Sequence, residues 1–141
     1  MSILQKDIPG AKALDLFAGS GALGLEALSR GAVSVDFVEK SASSLRALKA
    51  NVEKLGAVAE SRIHRADALK FVEGLSAGDF DIAFADPPYA GGGAERLCTH
   101  WLQVPFSSIF TVEHAASDPM PAGGDTRRYG TSAITIYRSG E

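Results

Sequence analysis

The chain has 141 residues and a single cysteine, Cys98, so no internal disulfide can close; CxxC pairs and the Cys/His spacings of zinc sites are missing too. No apolar run approaches the roughly 18 residues that a membrane span needs. The opening Met1–Pro9 stretch lacks the apolar core of a secretory signal peptide. Basic charge is not in excess either: 14 Lys and Arg stand against 17 Asp and Glu, a formal charge of −3. That excludes a nucleic-acid clamp as a description of the whole chain, though not a local basic face. What is present is ordinary globular usage, 45% hydrophobic and 22% charged, at a length that suits one domain. These features point to a soluble chain in a reducing, cytoplasmic setting, with no membrane segment and no metal site.

Short apolar runs alternate with stretches of helical periodicity, the pattern of a parallel sheet with crossover helices. Strands are expected at Ala11–Phe17, Val33–Val38, Ser61–Arg65, Phe80–Ala85, Ser108–Val112 and Ser132–Arg138, about six in all. Helices are expected at Ala22–Arg30, Ser41–Leu55, Ala68–Leu75 and Ala94–Leu102, with Gly31 and Gly56 as stops after the first two. The segment Glu113–Arg128, rich in Ala, Pro, Gly and Asp, reads as a loop leading into a hairpin-like ending. No repeat, low-complexity tract or linker interrupts this α/β pattern.

Between the first strand and the first helix lies Gly19-Ser-Gly21-Ala-Leu-Gly24, a G-x-G-x-x-G in the strand–turn–helix setting that gives the motif its meaning. Glycine lets the backbone turn sharply and approach a ligand closely. Glu39 follows Gly19 by 20 residues, at the end of the next strand, where a carboxylate accepts hydrogen bonds from ribose hydroxyls. Two nucleoside ligands suit this spacing. A dinucleotide brings a pyrophosphate to the helix N-terminus, but Asp15, just ahead of the turn, opposes that anion. S-adenosylmethionine carries an amino cation and a sulfonium instead, and charge favours it. Asp15 also suits a bland role, capping turn amides. Asp67 ends the third strand, where it can bond an adenine amine, cap the following helix, or do both through different oxygens.

The sharpest signal is Asp86-Pro87-Pro88-Tyr89, directly after the apolar strand FDIAFA. Two prolines fix φ and remove two N–H donors, leaving a stiff corner at the crevice mouth. The Asp86 carboxylate and the Pro87 carbonyl are then two acceptors at fixed positions, suited to the two N–H bonds of a nucleobase exocyclic amine. With both hydrogens held, the nitrogen lone pair turns toward an electrophilic methyl. Tyr89 offers a face on which the base stacks.

These residues together resemble the RsmD family, bacterial methyltransferases that act on the N2 amine of a guanine in 16S ribosomal RNA. The resemblance is carried by DLFAGSGALGLEALSRGA from Asp15 to Ala32, Phe37-Val-Glu39, Asp67-Ala68, Asp86-Pro-Pro-Tyr89 and the ending Arg128–Arg138, and it covers about Ile8 to Arg138. It implies a Rossmann-like S-adenosylmethionine-dependent methyltransferase fold, with a mostly parallel seven-stranded sheet, helices on both faces and the last strand antiparallel. It assigns Asp15, Phe17, Gly19, Gly21, Glu39, Lys40, Asp67 and Ala68 to the cofactor, and Asp86, Pro87 and Tyr89 to catalysis at the base. Ribosomal RNA or the small ribosomal subunit is the implied partner of a monomeric enzyme. Family members carry an N-terminal segment with basic residues before the first strand; here only Met1–Gly10 precedes it, so residues 1–141 read as one methyltransferase domain without that extension.

Other readings stay open on the residues alone: an adenine-N6 or other nucleic-acid amino-methyltransferase, a truncated cofactor-binding form or interaction module, or a dehydrogenase through G-x-G-x-x-G. Arg62, Arg65, Arg127 and Arg128 are candidates for a residual basic face, though ordinary solvated charges are the better expectation. His64, His100 and His114 have no metal-like spacing and read as surface or loop residues. Cys98 is expected to pack and Trp101 to fill core or cover a crevice edge. Glu26 reads either as the family's first-helix glutamate or as a first-turn acid favoured by the helix dipole.

Overall fold

The structure, a computed structural model, describes residues 4–88 and 92–140. Its elements run β1 (Lys12–Leu16), α1 (Ala22–Ser29), β2 (Ser34–Glu39), α2 (Ala42–Lys54), β3 (Ser61–Arg65), α3 (Ala68–Glu73), β4 (Phe80–Ala85), α4 (Gly93–Gln103), β5 (Ser107–Ala115), β6 (Asp125–Tyr129) and β7 (Ser132–Arg138). The strands form one seven-stranded sheet in the order β3-β2-β1-β4-β5-β7-β6. β1 to β5 pair in parallel, and β7 runs antiparallel to both β5 and β6.

The alternation of side chains across each strand sorts the apolar residues to two faces. On one face Ala13, Val35, Phe37, Ile82 and Phe84 pack under Leu25 and Ala27 of α1 and Leu45, Leu48 and Val52 of α2. On the other, Leu14, Leu16, Ala83, Ala85 and Phe110 pack under Ala68 and Val72 of α3 and Leu97, Cys98 and Trp101 of α4. Helices therefore cover both faces, and strand order reverses between β1 and β4. In open α/β sheets that switch point is where the carboxyl ends of the strands part into a crevice.

Local chemistry sets the helix ends. Ser41 accepts a hydrogen bond from the Ser44 amide and Asp67 Oδ2 accepts one from the Lys70 amide, capping α2 and α3. Gly31 and Gly56, at φ +105° and +66°, follow α1 and α2 in the left-handed conformation that terminates helices. Cys98 is fully buried, which pushes its thiol up to about 12 and makes it a packing group. Trp101 is core as well, its indole N–H donating to the Ser107 carbonyl and hydroxyl.

Several expectations need correction. The segment Glu113–Arg128 is not all loop: β5 continues through Glu113 to Ala115, and β6 begins at Asp125. β6 is exposed along its whole length and has no apolar alternation to betray it; the ladder to β7 and a 2.8 Å hydrogen bond between the Thr126 and Thr135 hydroxyls hold it. His114 is not a surface residue. It is buried on β5, with its ring nitrogens 2.8 Å from the Ala115 carbonyl and 2.7 Å from Thr135 Oγ1. His64 lies on β3, half-buried, with Nε2 2.8 Å from Asp36 Oδ2, and His100 lies on α4 with Nε2 3.1 Å from the Val72 carbonyl. Arg62 and Arg65 sit on β3 and Arg127 and Arg128 on β6, the two opposite edges of the sheet, so they form no common face. Glu26 lies beyond the first turn of α1 and pairs with Arg30 one turn on, at 2.8 Å.

Candidate active site

A cavity of about 550 Å³ opens at the carboxyl ends of β1, β2, β4 and β5 and the start of α3. Phe17, Glu39, Lys40, Asp67, Ala68, Asp86 and Pro87, all singled out from sequence, line it together. Asp15, Gly19 and Gly21 do not; they stand behind the lining and shape it. Tyr89 lies outside the described residues.

The wall behind the cavity is the turn from Phe17 to Gly21. Phe17, Gly19 and Gly21 take φ of +58°, +57° and +89°. For phenylalanine the left-handed region costs about 1–2 kcal/mol, strain of the kind that functional loops hold. Space also matters at Gly21, where a Cβ would collide with Leu48 of α2. The turn's amides are engaged by the chain itself. Gly19 N–H donates to Glu39 Oε1 at 2.8 Å, Gly21 N–H to the Ala18 carbonyl at 2.8 Å, and Gly24 N–H to Asp15 Oδ2 at 3.0 Å. Glu39 Oε2 meanwhile accepts from the amides of Lys40 and Ser41 at 3.1 and 2.9 Å. One carboxylate thus ties the end of β2 to the glycine turn beside it.

Asp15 is 1% exposed on β1. Burial pushes its carboxyl up to about 7 against the opposing pull of the Gly24 amide, and the charges of Glu39 and Asp86 push the same way. The amide-capping role weighed for Asp15 is therefore present. Asp67 uses Oδ2 for its cap and leaves Oδ1 3.8 Å from Lys40 Nζ at the cavity wall. Asp86 emerges exposed at the end of β4, followed by buried Pro87 and exposed Pro88. Its carboxyl is raised by partial burial and then by the negative charge of Glu113.

Glu113 was missed. It lines the cavity from the end of β5, in a stretch read as loop. The available signal was its position: it follows the apolar run ending at Val112 just as Asp86 follows FDIAFA, and Ala85 pairs with Val112 in the sheet.

The donor set decides between the two nucleoside ligands. Glu39, Asp67, Asp86 and Glu113 face the cavity against the single cation Lys40 among the described lining residues. A pyrophosphate would meet this negative wall with the turn's amides already given to Glu39, Ala18 and Asp15. A donor with an amino cation and a sulfonium and no phosphate suits the same wall, so the residues fit S-adenosylmethionine. Among the described residues, no three His, Cys, Asp or Glu side chains are grouped to hold a metal ion, and no helix is long and apolar enough to cross a membrane.

This sheet order, with its antiparallel β7, and the crevice at its switch point define the fold of S-adenosylmethionine-dependent methyltransferases, whose cofactor is S-adenosylmethionine. An RNA methyltransferase from Salinibacter ruber, solved with S-adenosyl-L-homocysteine, shares the fold at 10% identity and a TM-score of 0.73, over 97% of this chain and 87% of that one. Residues 1–138 match the family described as conserved hypothetical protein 95. The chain is 33% identical over 144 residues to the ribosomal RNA small subunit methyltransferase D of Haemophilus influenzae, covering 96% of this chain and 74% of that protein. A conserved hypothetical protein from Streptococcus pyogenes superposes with a TM-score of 0.81 at 26% identity, over 99% of this chain and 94% of that one. The chain belongs to the RsmD family.

Proposed function

We propose that the chain, acting across residues 1–141 as one monomeric cytoplasmic domain, transfers a methyl group from S-adenosylmethionine to the exocyclic N2 amine of a guanine in small-subunit ribosomal RNA. The observation that carries this reading is the proline-stiffened corner Asp86-Pro87-Pro88, set at the end of β4 on the rim of a cavity walled by Glu39 and Asp67. Support for ribosomal RNA as the acceptor comes from the activity named for the Haemophilus relative.

S-adenosylmethionine, when bound, supplies an electrophilic methyl on a positively charged sulfur. Glu39 accepts the ribose hydroxyls on lone pairs left over from its three backbone amides, and Asp67 Oδ1 accepts from the adenine amine while Oδ2 keeps its cap. Lys40 holds Asp67 in place, Ala68 and Phe17 supply apolar contact, and Asp15 faces the amino cation from behind the turn formed by Gly19 and Gly21. At the rim, Asp86 and the Pro87 carbonyl accept the two N2 hydrogens, and Tyr89 stacks on the ring. With both hydrogens held out of the path, the N2 lone pair aligns with the methyl carbon. The N–C bond forms as the S–C bond breaks, the S–C electron pair stays on sulfur, and Asp86 accepts the proton that N2 then sheds. A carboxyl raised from its ordinary value holds that proton more readily than a solvated aspartate does.

The test is nucleoside analysis by mass spectrometry after incubating the full chain with S-adenosylmethionine and small ribosomal subunits or their naked RNA. N2-methylguanosine is expected. N6-methyladenosine in its place would reject the guanine assignment, and heat on titration with S-adenosylhomocysteine without any methylation would identify a cofactor-binding form.

A further inference from the structure

Guanine differs from the other amine-bearing bases in one hydrogen. Beside its exocyclic amine, ring nitrogen N1 carries a proton and donates; beside the amines of adenine and cytosine, the ring nitrogen is a bare acceptor. An acceptor next to Asp86 therefore distinguishes guanine from both.

β4 and β5 are parallel neighbours with Ala85 opposite Val112, so Asp86, the first residue past β4, and Glu113 of β5 each follow that pair, and both line the main cavity. Glu113 leaves the sheet on the side of Phe84 and Thr111, because side chains alternate along β5 and Val112 faces the other way. Asp86 and Glu113 also rim a second recess of about 90 Å³ on that side, whose walls include Leu4, Leu23, Phe84 and Ile134. Thr111 also lines this recess, although its Oγ1 is sealed from solvent. Two carboxylates at the mouth of an apolar slot match the two neighbouring donors of guanine's edge, N2–H and N1–H.

We infer that Glu113 is a specificity-determining residue: its carboxylate accepts the guanine N1–H while Asp86 accepts an N2–H. The inference rests on the reading of this site as a guanine-N2 methyltransferase and adds the element that chooses the base. Adenine or cytosine presented at the same corner turns a lone pair toward Glu113, and that repulsion rejects it.

Once the methylated guanosine of the wild type is mapped, the same RNA is prepared by splint ligation with 2-aminopurine at that position, which keeps the 2-amine but lacks the N1 hydrogen and O6, so the part due to Glu113 is read from how E113Q changes the ratio. Wild-type enzyme is expected to methylate guanine at least about tenfold better than 2-aminopurine in kcat/KM, the effect of losing a hydrogen bond to a charged group. E113Q, whose amide can either donate or accept at N1, is expected to bring the ratio below about threefold, through loss on guanine and gain on 2-aminopurine. E113D is expected to keep wild-type preference at reduced rate, and thermal unfolding confirms that both variants are folded. A guanine preference in E113Q equal to that of the wild type overturns the assignment of Glu113 and leaves N2 methylation standing. Wild-type methylation of adenine, or of no base, overturns the reading beneath it and the assignment with it.

Discussion

Asp15 is a carboxylate sealed 1% exposed in the sheet, where burial disfavours its charged form. A rise from 3.8 to about 7 means that the ionised form costs the fold about 4 kcal/mol once both folded and unfolded chains are ionised. The sign follows from proton counting. Between the two pKa values the folded chain holds a proton that the unfolded chain has lost, so stability falls as pH rises through that window and levels off above about pH 8. Asp15→Asn removes the charge, while its amide oxygen still accepts from the Gly24 amide. The stability of D15N minus that of the wild type is therefore expected to grow by about 2.5 kcal/mol between about pH 5 and pH 8. Taking the difference cancels other titrating groups that the substitution leaves alone. Trp101, the single tryptophan and a buried one, reports urea unfolding by fluorescence at each pH. A difference that stays flat within about 0.5 kcal/mol across this range would show that Asp15 ionises normally in the folded protein, and the account of its burial would be wrong.

Asp86→Ala is expected to lower kcat for methyl transfer by about 10²–10³-fold, the scale for loss of one group that orients and stabilises reacting atoms, while S-adenosylhomocysteine affinity by calorimetry changes little. Equal loss of both would assign Asp86 a structural role instead. Gly24→Ala places a Cβ against the buried Phe37 ring and 2.9 Å from Val35 Cγ1. Overpacking outweighs the better helix propensity of alanine, for a net loss of about 1–2 kcal/mol in urea unfolding; unchanged or increased stability would show that α1 shifts freely off β2.

The left half of the sheet was legible because each element there carries its own signal. Apart from β3, whose Ser-Arg-Ile-His-Arg holds a single apolar residue and gave a weaker signal, the elements from β1 to α3 combine apolar runs, helical spacing and Gly or Asp punctuation within a few residues, and local order of that kind survives into the fold. The acidic strand ends Glu39, Asp67 and Asp86 were legible too, since a charged residue at or just past a strand's end marks where chain leaves core; Glu113, in a similar position near the end of β5, was read as loop. The C-terminal third behaves differently. β6 reads Asp-Thr-Arg-Arg-Tyr, exposed throughout, and is a strand only because β7 offers it a ladder. His114 looks like a loop residue until the antiparallel pairing of β5 with β7 sets Thr135 within reach of its ring.

The sequence by itself determined the doubly wound α/β class, the glycine turn, and the residue types at the rim: Glu39, Asp67, and Asp86 with its prolines. These are statements about single elements and about order along the chain. Only the tertiary structure decided that Asp15 is buried behind the turn, that Glu39 is bonded to the Gly19 amide, and that Glu113 stands beside Asp86. Each of these depends on which strands become neighbours and in what register, and therefore on residues far apart in the chain. Hydrogen bonds and burial across strands act over a few ångströms of space, so their outcome is set when the sheet closes and not before.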